Sequence, residues 1–160
     1  MSVLRIAKVI AVVCIGLVAG IYLDHLASAP ARAALTASSF VQYQQIVHMY
    51  YVRMVPALII AGVLAALVWL LMVKSQWRGA EFWLVAASIG GILFIAVITQ
   101  AVNAPLNNQL MTWSVAAPPA NLREIWSPWE RVNAIRAMVA VCVLILESVA
   151  LVLKSSNKPG

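Results

Sequence analysis

Residues 82–102 read FWLVAASIGGILFIAVITQAV, 21 residues without a charge. A helix of that length covers about 30 Å, the thickness of a bilayer's hydrocarbon layer. Lipid offers no partners for free backbone N–H and C=O groups, so such a run must be helical. Three more apolar runs occupy residues 6–23, 54–73 and 134–153. The reading is all-α: one integral membrane domain, residues 1–160, folded as a four-transmembrane-helix bundle.

Composition agrees. The 160 residues are 64% hydrophobic and 10% charged, with a mean hydropathy of +0.94. Soluble domains carry roughly 25% charged residues, so too little polar surface exists here to cover a water-soluble globule. The net charge of +6 does not gather into a basic patch. Lysines and arginines stand at the ends of the apolar runs, where they anchor helices against lipid headgroups. Nucleic acid is therefore not an expected partner; the lipid bilayer is. Cys14 and Cys142 lie within apolar runs and form no CxxC pair, so both are expected to be buried apolar residues rather than a disulfide exchanger.

The first run, preceded by Arg5 and containing Lys8, with Ala27-Ser28-Ala29 after it, also fits a signal peptide. Its length and the GxxxG spacing of Gly16 and Gly20, which lets another helix approach closely, favour a retained helix. Gly90 and Gly91 offer a second small-residue face. Such faces are where an oligomer or a larger membrane complex would pack. With four spans, both termini share one side, which holds Arg5, Lys8, Lys74, Arg78, Lys154 and Lys158; the other side holds Arg32, Arg53, Arg123, Arg131 and Arg136. The short basic turn at 74–81 places the termini in the cytoplasm.

The two long connections, 24–53 and 103–133, are expected to carry function or structure of their own. Residues 36–53 read as a helix capped by Ser38 or Ser39 and running on into the second span, kinked or extended at Pro56. Residues 103–133 form a structured outer loop between the third and fourth helices. The tail 155–160 is expected to be disordered.

Three polar motifs fall at these outer ends. The first is Asn103-Ala104-Pro105-Leu106-Asn107-Asn108-Gln109-Leu110-Met111-Thr112-Trp113. Asn103 and Asn107, four apart, stack on one helical face, and Pro105 fits a helix's first turn. Helix capping is the alternative use of these amides. The second motif runs from Trp126 to Arg136, with Trp129, Asn133 and Arg136 at i, i+4 and i+7 on one face. Arg136 lies just inside the apolar run, where a guanidinium needs a protein partner or must snorkel to water. The tryptophans also suit an interfacial aromatic belt. Glu130 and Arg131 read as solvated surface. The third motif runs from Phe40 to Pro56, with Gln44, His48 and Tyr51 on one face. A lone histidine beside a membrane surface, as His48 is, is more often a polar structural residue than a catalyst. The adjacency of His25 and Asp24 in sequence does not make a dyad, and no spacing supports a metal or haem site, so no metal is assigned. Glu147 sits within the fourth apolar run, where it is expected to pair with Lys8 or stay protonated.

The N-x-P-x-N-N-x-L stretch starting at Asn103, the W-x-x-W-x-x-x-N-x-x-R stretch from Trp126 to Arg136, and Tyr51-Val52-Arg53-Met54-Val55-Pro56 resemble the anthrone oxygenase-like family of membrane proteins. The likeness spans about residues 6–155. A histidine expected near position 43 is replaced here by Tyr43, so no base carries over from that position. The resemblance implies a four-helix protein of the bacterial inner membrane. It implies oxidation of an apolar, anthrone-like aromatic by O2 without a metal or organic cofactor. On that chemistry His48 is the candidate base, Arg136 with Asn103 or Asn107 the oxyanion partners, and Trp113, Trp126, Trp129, Tyr51, Gln44 and Asn133 the substrate-binding surface. Two other classes remain open: a non-catalytic accessory subunit of a membrane complex, and a binder of quinone-like lipid-soluble molecules. Convergence of the Asn, Trp and Arg side chains on one cavity separates them from the enzyme.

Overall fold

The computed structural model describes residues 2–153. Within them, α1 (Val3–Ala27), α3 (Ala37–Met72), α4 (Ala80–Ile98) and α6 (Leu122–Val152) are the four long helices. The short α2 (Ala29–Ala33) follows α1, and α5 (Ala104–Thr112) follows α4. No strand occurs among the described residues. The four long apolar helices are each of a length that can cross a membrane, and the protein is an integral membrane protein. The tail at 155–160, with Lys154 and Lys158, lies outside the described residues.

The second helix is extended, as its sequence implies, and runs through Pro56. Its 36 residues make about 54 Å, far more than a hydrocarbon layer needs, so its first turns rise beyond the apolar zone. The cap is Thr36, whose side chain accepts from the Ser39 N–H at 3.2 Å; neither Ser38 nor Ser39 is the cap. Most of the connection between the third and fourth spans is helix. A π-helical turn, Thr99–Asn103, joins α4 to α5. Pro105 cannot donate to the Ala101 carbonyl and its ring crowds that group. The wider π turn just before it, closed by the Ala104 N–H on the Thr99 carbonyl, lets the chain continue. Pro128 leaves the Glu124 carbonyl without its helical donor, and the Ser127 hydroxyl donates to that carbonyl at 3.2 Å.

In cross-section α1 packs mainly on α3 and α6, and α4 on α6; of the neighbouring helices, α3 and α4 share the smallest contact. The core has three tiers. Ala11, Ala65, Ala66, Trp69, Val85 and Ala150 fill the end near the termini. Ile15, Val18, Ala19, Ile92, Ile95, Ala137, Ala140 and Val143 fill the middle. Phe40, Val41, Leu110, Leu122, Trp126 and Trp129 fill the loop end. Small residues at α1 and α6 allow close approach, which is how helices gain contact where lipid removes the hydrophobic drive between them.

The close-packed glycines differ from those the GxxxG pattern marked. A Cβ at Gly20 or Gly90 meets nothing within 4 Å, and one at Gly16 makes only an ordinary 3.7 Å contact with Leu144. At Gly91, by contrast, a Cβ would stand 2.6 Å from Val143 Cγ2, and at Gly62 it would stand 3.2 Å from Cys14 Cβ. Gly91 thus sets the α4–α6 distance and Gly62 the α1–α3 distance. Cys14 is buried as expected, but Cys142 is exposed on the outside of α6.

The intramembrane charges pair differently from expectation. Lys8 Nζ lies 2.6 Å from Glu81 Oε1, which also accepts from Trp69 Nε1 at 2.8 Å. Glu147 is fully buried and accepts from the Ser88 hydroxyl at 3.2 Å instead of meeting Lys8. At the loop end Arg123 donates to the carbonyls of Arg32, Ala33 and Leu35, tying down the end of α2. The buried Arg32 holds the His25 carbonyl at 2.7 Å and lies 3.7 Å from Glu130. Glu130 is therefore half-buried with a partner, whereas Arg131 is exposed.

Candidate functional site

A cavity of about 320 Å³ lies in the loop-end half of the bundle, where α3 and α4 separate. That size falls within the range of small-molecule sites, which are mostly apolar with a few placed polar groups. Six elements contribute: Tyr22 and His25 from α1; Gln44, His48 and Tyr51 from α3; Ala96 from α4; Thr99 and Gln100 from the π turn; Asn107 from α5; Trp126, Trp129 and Arg136 from α6. Aliphatic side chains of α3 form the floor.

Gln44, His48 and Tyr51 reach the cavity because spacings of three and four keep them on one side of α3. The same rule holds on α6, where Trp129, Asn133 and Arg136 are all buried. Arg136, 6% exposed, is held by neutral groups. Nη1 donates to Thr99 Oγ1 at 3.2 Å and Nη2 to Asn133 Oδ1 at 2.8 Å. Its guanidinium carbon lies 4.6 Å from the Tyr22 ring centre and 5.6 Å from that of Trp129, within cation–π range. Among the described residues no carboxylate pairs with it, and its Nε–H has no hydrogen-bond partner. A buried guanidinium without a counter-charge favours whatever negative charge a ligand brings.

The aromatic wall is built around Trp129. Trp126 stacks on it with ring centres 4.9 Å apart and 17° between planes. His25 meets Trp129 edge-on at 5.5 Å and Tyr51 edge-on at 5.4 Å. The two asparagines four apart both grip this residue: Asn103 Nδ2 donates to the Trp129 carbonyl at 3.2 Å, and Asn107 Oδ1 accepts from its indole N–H at 2.8 Å. Four further polar atoms in this region, Gln44 Nε2, His25 Nδ1, Trp126 Nε1 and Asn103 Oδ1, have no hydrogen-bond partner among the described residues.

The structure sorts the sequence-derived candidates into two shells. Gln44, His48, Tyr51, Asn107, Trp126, Trp129 and Arg136 line the cavity. Asn103, Asn133 and Trp113 do not. Asn103 is fully buried behind Trp129, Asn133 holds Arg136 from behind, and Trp113 packs edge-on against Trp126 at 6.5 Å. Asn103 therefore positions Trp129 and is not placed to touch an oxyanion in the cavity. The sequence reading missed Tyr22, His25 and Thr99. The first two share a face of α1 at a spacing of three, a signal hidden because Tyr22 closes an apolar run. Thr99 reads as an ordinary interruption of the third run.

Four apolar helices around a loop-end cavity with an aromatic wall and a buried arginine define an integral membrane protein with an internal polar site. A family model described as anthrone oxygenase matches residues 43–146. That stretch is more than half the chain, and the chain belongs to the anthrone oxygenase family. It holds every candidate residue read from the sequence, while Tyr22 and His25 of α1 lie outside it. Comparison with curated proteins and with solved structures gives no match.

Proposed function

We propose that the protein is a membrane-embedded oxygenase that oxidises a flat, apolar, anthrone-like aromatic with O2. The observation that carries this reading is the convergence of a buried, unpaired Arg136, two histidines and a stacked tryptophan pair on one cavity. A flat aromatic partitions into the bilayer and fits against the wall of Trp126 and Trp129. Its ring CH2, acidified by a neighbouring carbonyl, loses a proton to a histidine. His48 is the base in this reading. His25, whose Nδ1 has no hydrogen-bond partner among the described residues, is the second position to test. The enolate oxygen rests on the Arg136 guanidinium, with Gln44 Nε2 as a further donor. The electron-rich enolate gives an electron to O2 and the pair combine at the ring carbon. The resulting peroxide anion takes up the proton to become a hydroperoxide, which loses water to leave a C=O. One oxygen atom enters the product and the other leaves in water. The substrate's own enolate reduces O2, so the proposal calls for no metal or organic cofactor. In this reading the protein sits in a bacterial inner membrane with its termini cytoplasmic.

The test is turnover of an anthrone by purified protein in lipid nanodiscs under heavy-isotope O2. One labelled oxygen should appear in each new carbonyl, and both His48→Gln and His25→Gln should be assayed. The histidine whose loss flattens the pH–rate profile is the base. Absence of protein-dependent oxidation overturns the reading and leaves a quinone-type binder or an accessory subunit.

A further inference from the structure

The cavity is longer than a three-ring ligand needs. Its lining on α3 runs from Gln44 to Ile60, 16 residue steps, or about 24 Å of helix at 1.5 Å per residue. The two ends differ in chemistry. Polar and aromatic groups, among them Arg136 and Trp129, occupy the loop end. The deep end is aliphatic, made by Val55, Ile59 and Ile60 with Ala96 across the gap. This deep end lies inside the second apolar run, at hydrocarbon depth. It is also open sideways. Ile60 lines the cavity and is still 59% exposed, so one side chain faces both the interior and the lipid. The opening falls at the α3–α4 seam, the loosest seam between neighbouring helices.

We propose that the site takes an aromatic head joined to an apolar chain, with the chain leaving between α3 and α4 into the bilayer. The proposal rests on the reading of this cavity as the ligand site and narrows the substrate class to anthrone-like aromatics that carry an alkyl or prenyl chain, with the matching quinones as product-like ligands. The head reaches Arg136 and the tryptophan wall. The chain lies along Ile59 and Ile60, exchanging lipid contacts for equivalent protein contacts. Because lipid tails are as apolar as these side chains, the chain neither strengthens nor weakens binding much once ligands are compared within the membrane. Its signature is tolerance: a chain too long for the enclosed volume is still accepted. The same opening lets a lipid-dissolved ligand enter without crossing the polar loops.

Binding of naphthoquinone and dodecyl-naphthoquinone to the protein in nanodiscs tests this. Affinity is expressed as mole fraction in lipid, and the readout is the saturable part of tryptophan quenching. Trp77 and Trp83, the most exposed tryptophans, are first replaced by Phe to lower the background. The two ligands should bind within about threefold of each other. Ala96→Phe and, from the opposite side of the seam, Ile60→Trp should each shift that ratio against the dodecyl ligand by about tenfold, the effect of forcing a chain into an overfilled space. Circular dichroism checks that both variants fold. If the unsubstituted ring binds and the dodecyl ligand is rejected by the unaltered seam, the cavity is a ligand site but the lateral opening is wrong. If both seam variants fold and leave the ratio unchanged, the chain does not leave by this route. If neither quinone binds saturably, the reading of the cavity falls, and this inference with it.

Discussion

Replacing Gly91 with alanine tests whether the helices meet as closely as the structure shows. The new methyl group would stand 2.6 Å from Val143 Cγ2 and 3.6 Å from Val139 Cγ1. Valine on a helix has one strongly preferred rotamer, so Val143 cannot swing aside freely. The helices must separate instead. Overfilling of this kind costs about 1–3 kcal/mol, or about 5- to 150-fold in the folded-to-unfolded ratio. The strain also reaches the site. Gly91 precedes Thr99 by about two turns of α4, and Val143 follows Arg136 by about two turns of α6. The 3.2 Å bond between Arg136 and Thr99 has little slack before it is lost. Gly90→Ala, one residue away, adds a methyl that meets nothing and should leave stability unchanged or raise it by up to about 1 kcal/mol through helix propensity. The assay is thermal unfolding in detergent followed by circular dichroism, with Val143→Ala added to Gly91→Ala as the rescue. If Gly91→Ala is as stable as Gly90→Ala, the close α4–α6 packing is wrong.

Glu147 accepts a hydrogen bond from Ser88 but meets no cation among the described residues. Glu147→Gln, which keeps an acceptor and removes the carboxylate, should therefore change stability by less than about 1 kcal/mol or improve it; a protein that no longer folds would assign that carboxylate an essential charged role. The topology is tested with reporters. One fused after Gly160 should be cytoplasmic and one inserted near Ala117 external, following the basic turn around Lys74 and Arg78; the reverse pattern inverts the orientation and leaves the four spans intact.

The spans were legible because lipid imposes one rule on the backbone, and an uninterrupted run such as 82–102 can obey it in only one way. Helical spacing also revealed faces within one helix: Gln44, His48 and Tyr51 on α3, and Trp129, Asn133 and Arg136 on α6. What spacing along one helix cannot convey is which neighbour a face meets. Gly20 belongs to a GxxxG pair yet faces away from the bundle, while the close contacts fall at Gly62, set in a plain apolar run, and at only one member, Gly91, of the Gly90–Gly91 pair. The Lys8–Glu81 pair joins residues 73 positions apart in sequence, and local pattern pointed to Glu147 as readily. His25 reads as a loop residue until α1 is seen to continue to Ala27. Asn103 and Asn107 were legible as a pair, but their shared grip on Trp129 depends on where α6 passes α5.

The central claim is that Arg136 stabilises negative charge on an aromatic substrate, and the Arg136→Ala variant measures it most directly. Anthrone-dependent O2 consumption should be compared in nanodiscs for the unaltered protein, Arg136→Ala and Arg136→Lys, with circular dichroism confirming that each is folded. Loss of an oxyanion contact typically costs about 100- to 1,000-fold in rate, so Arg136→Ala should fall by that factor. Arg136→Lys should recover part of it, because lysine supplies charge without the planar fork that bonds Thr99 and Asn133 together. A folded Arg136→Ala protein that consumes O2 as fast as the unaltered one would contradict the account.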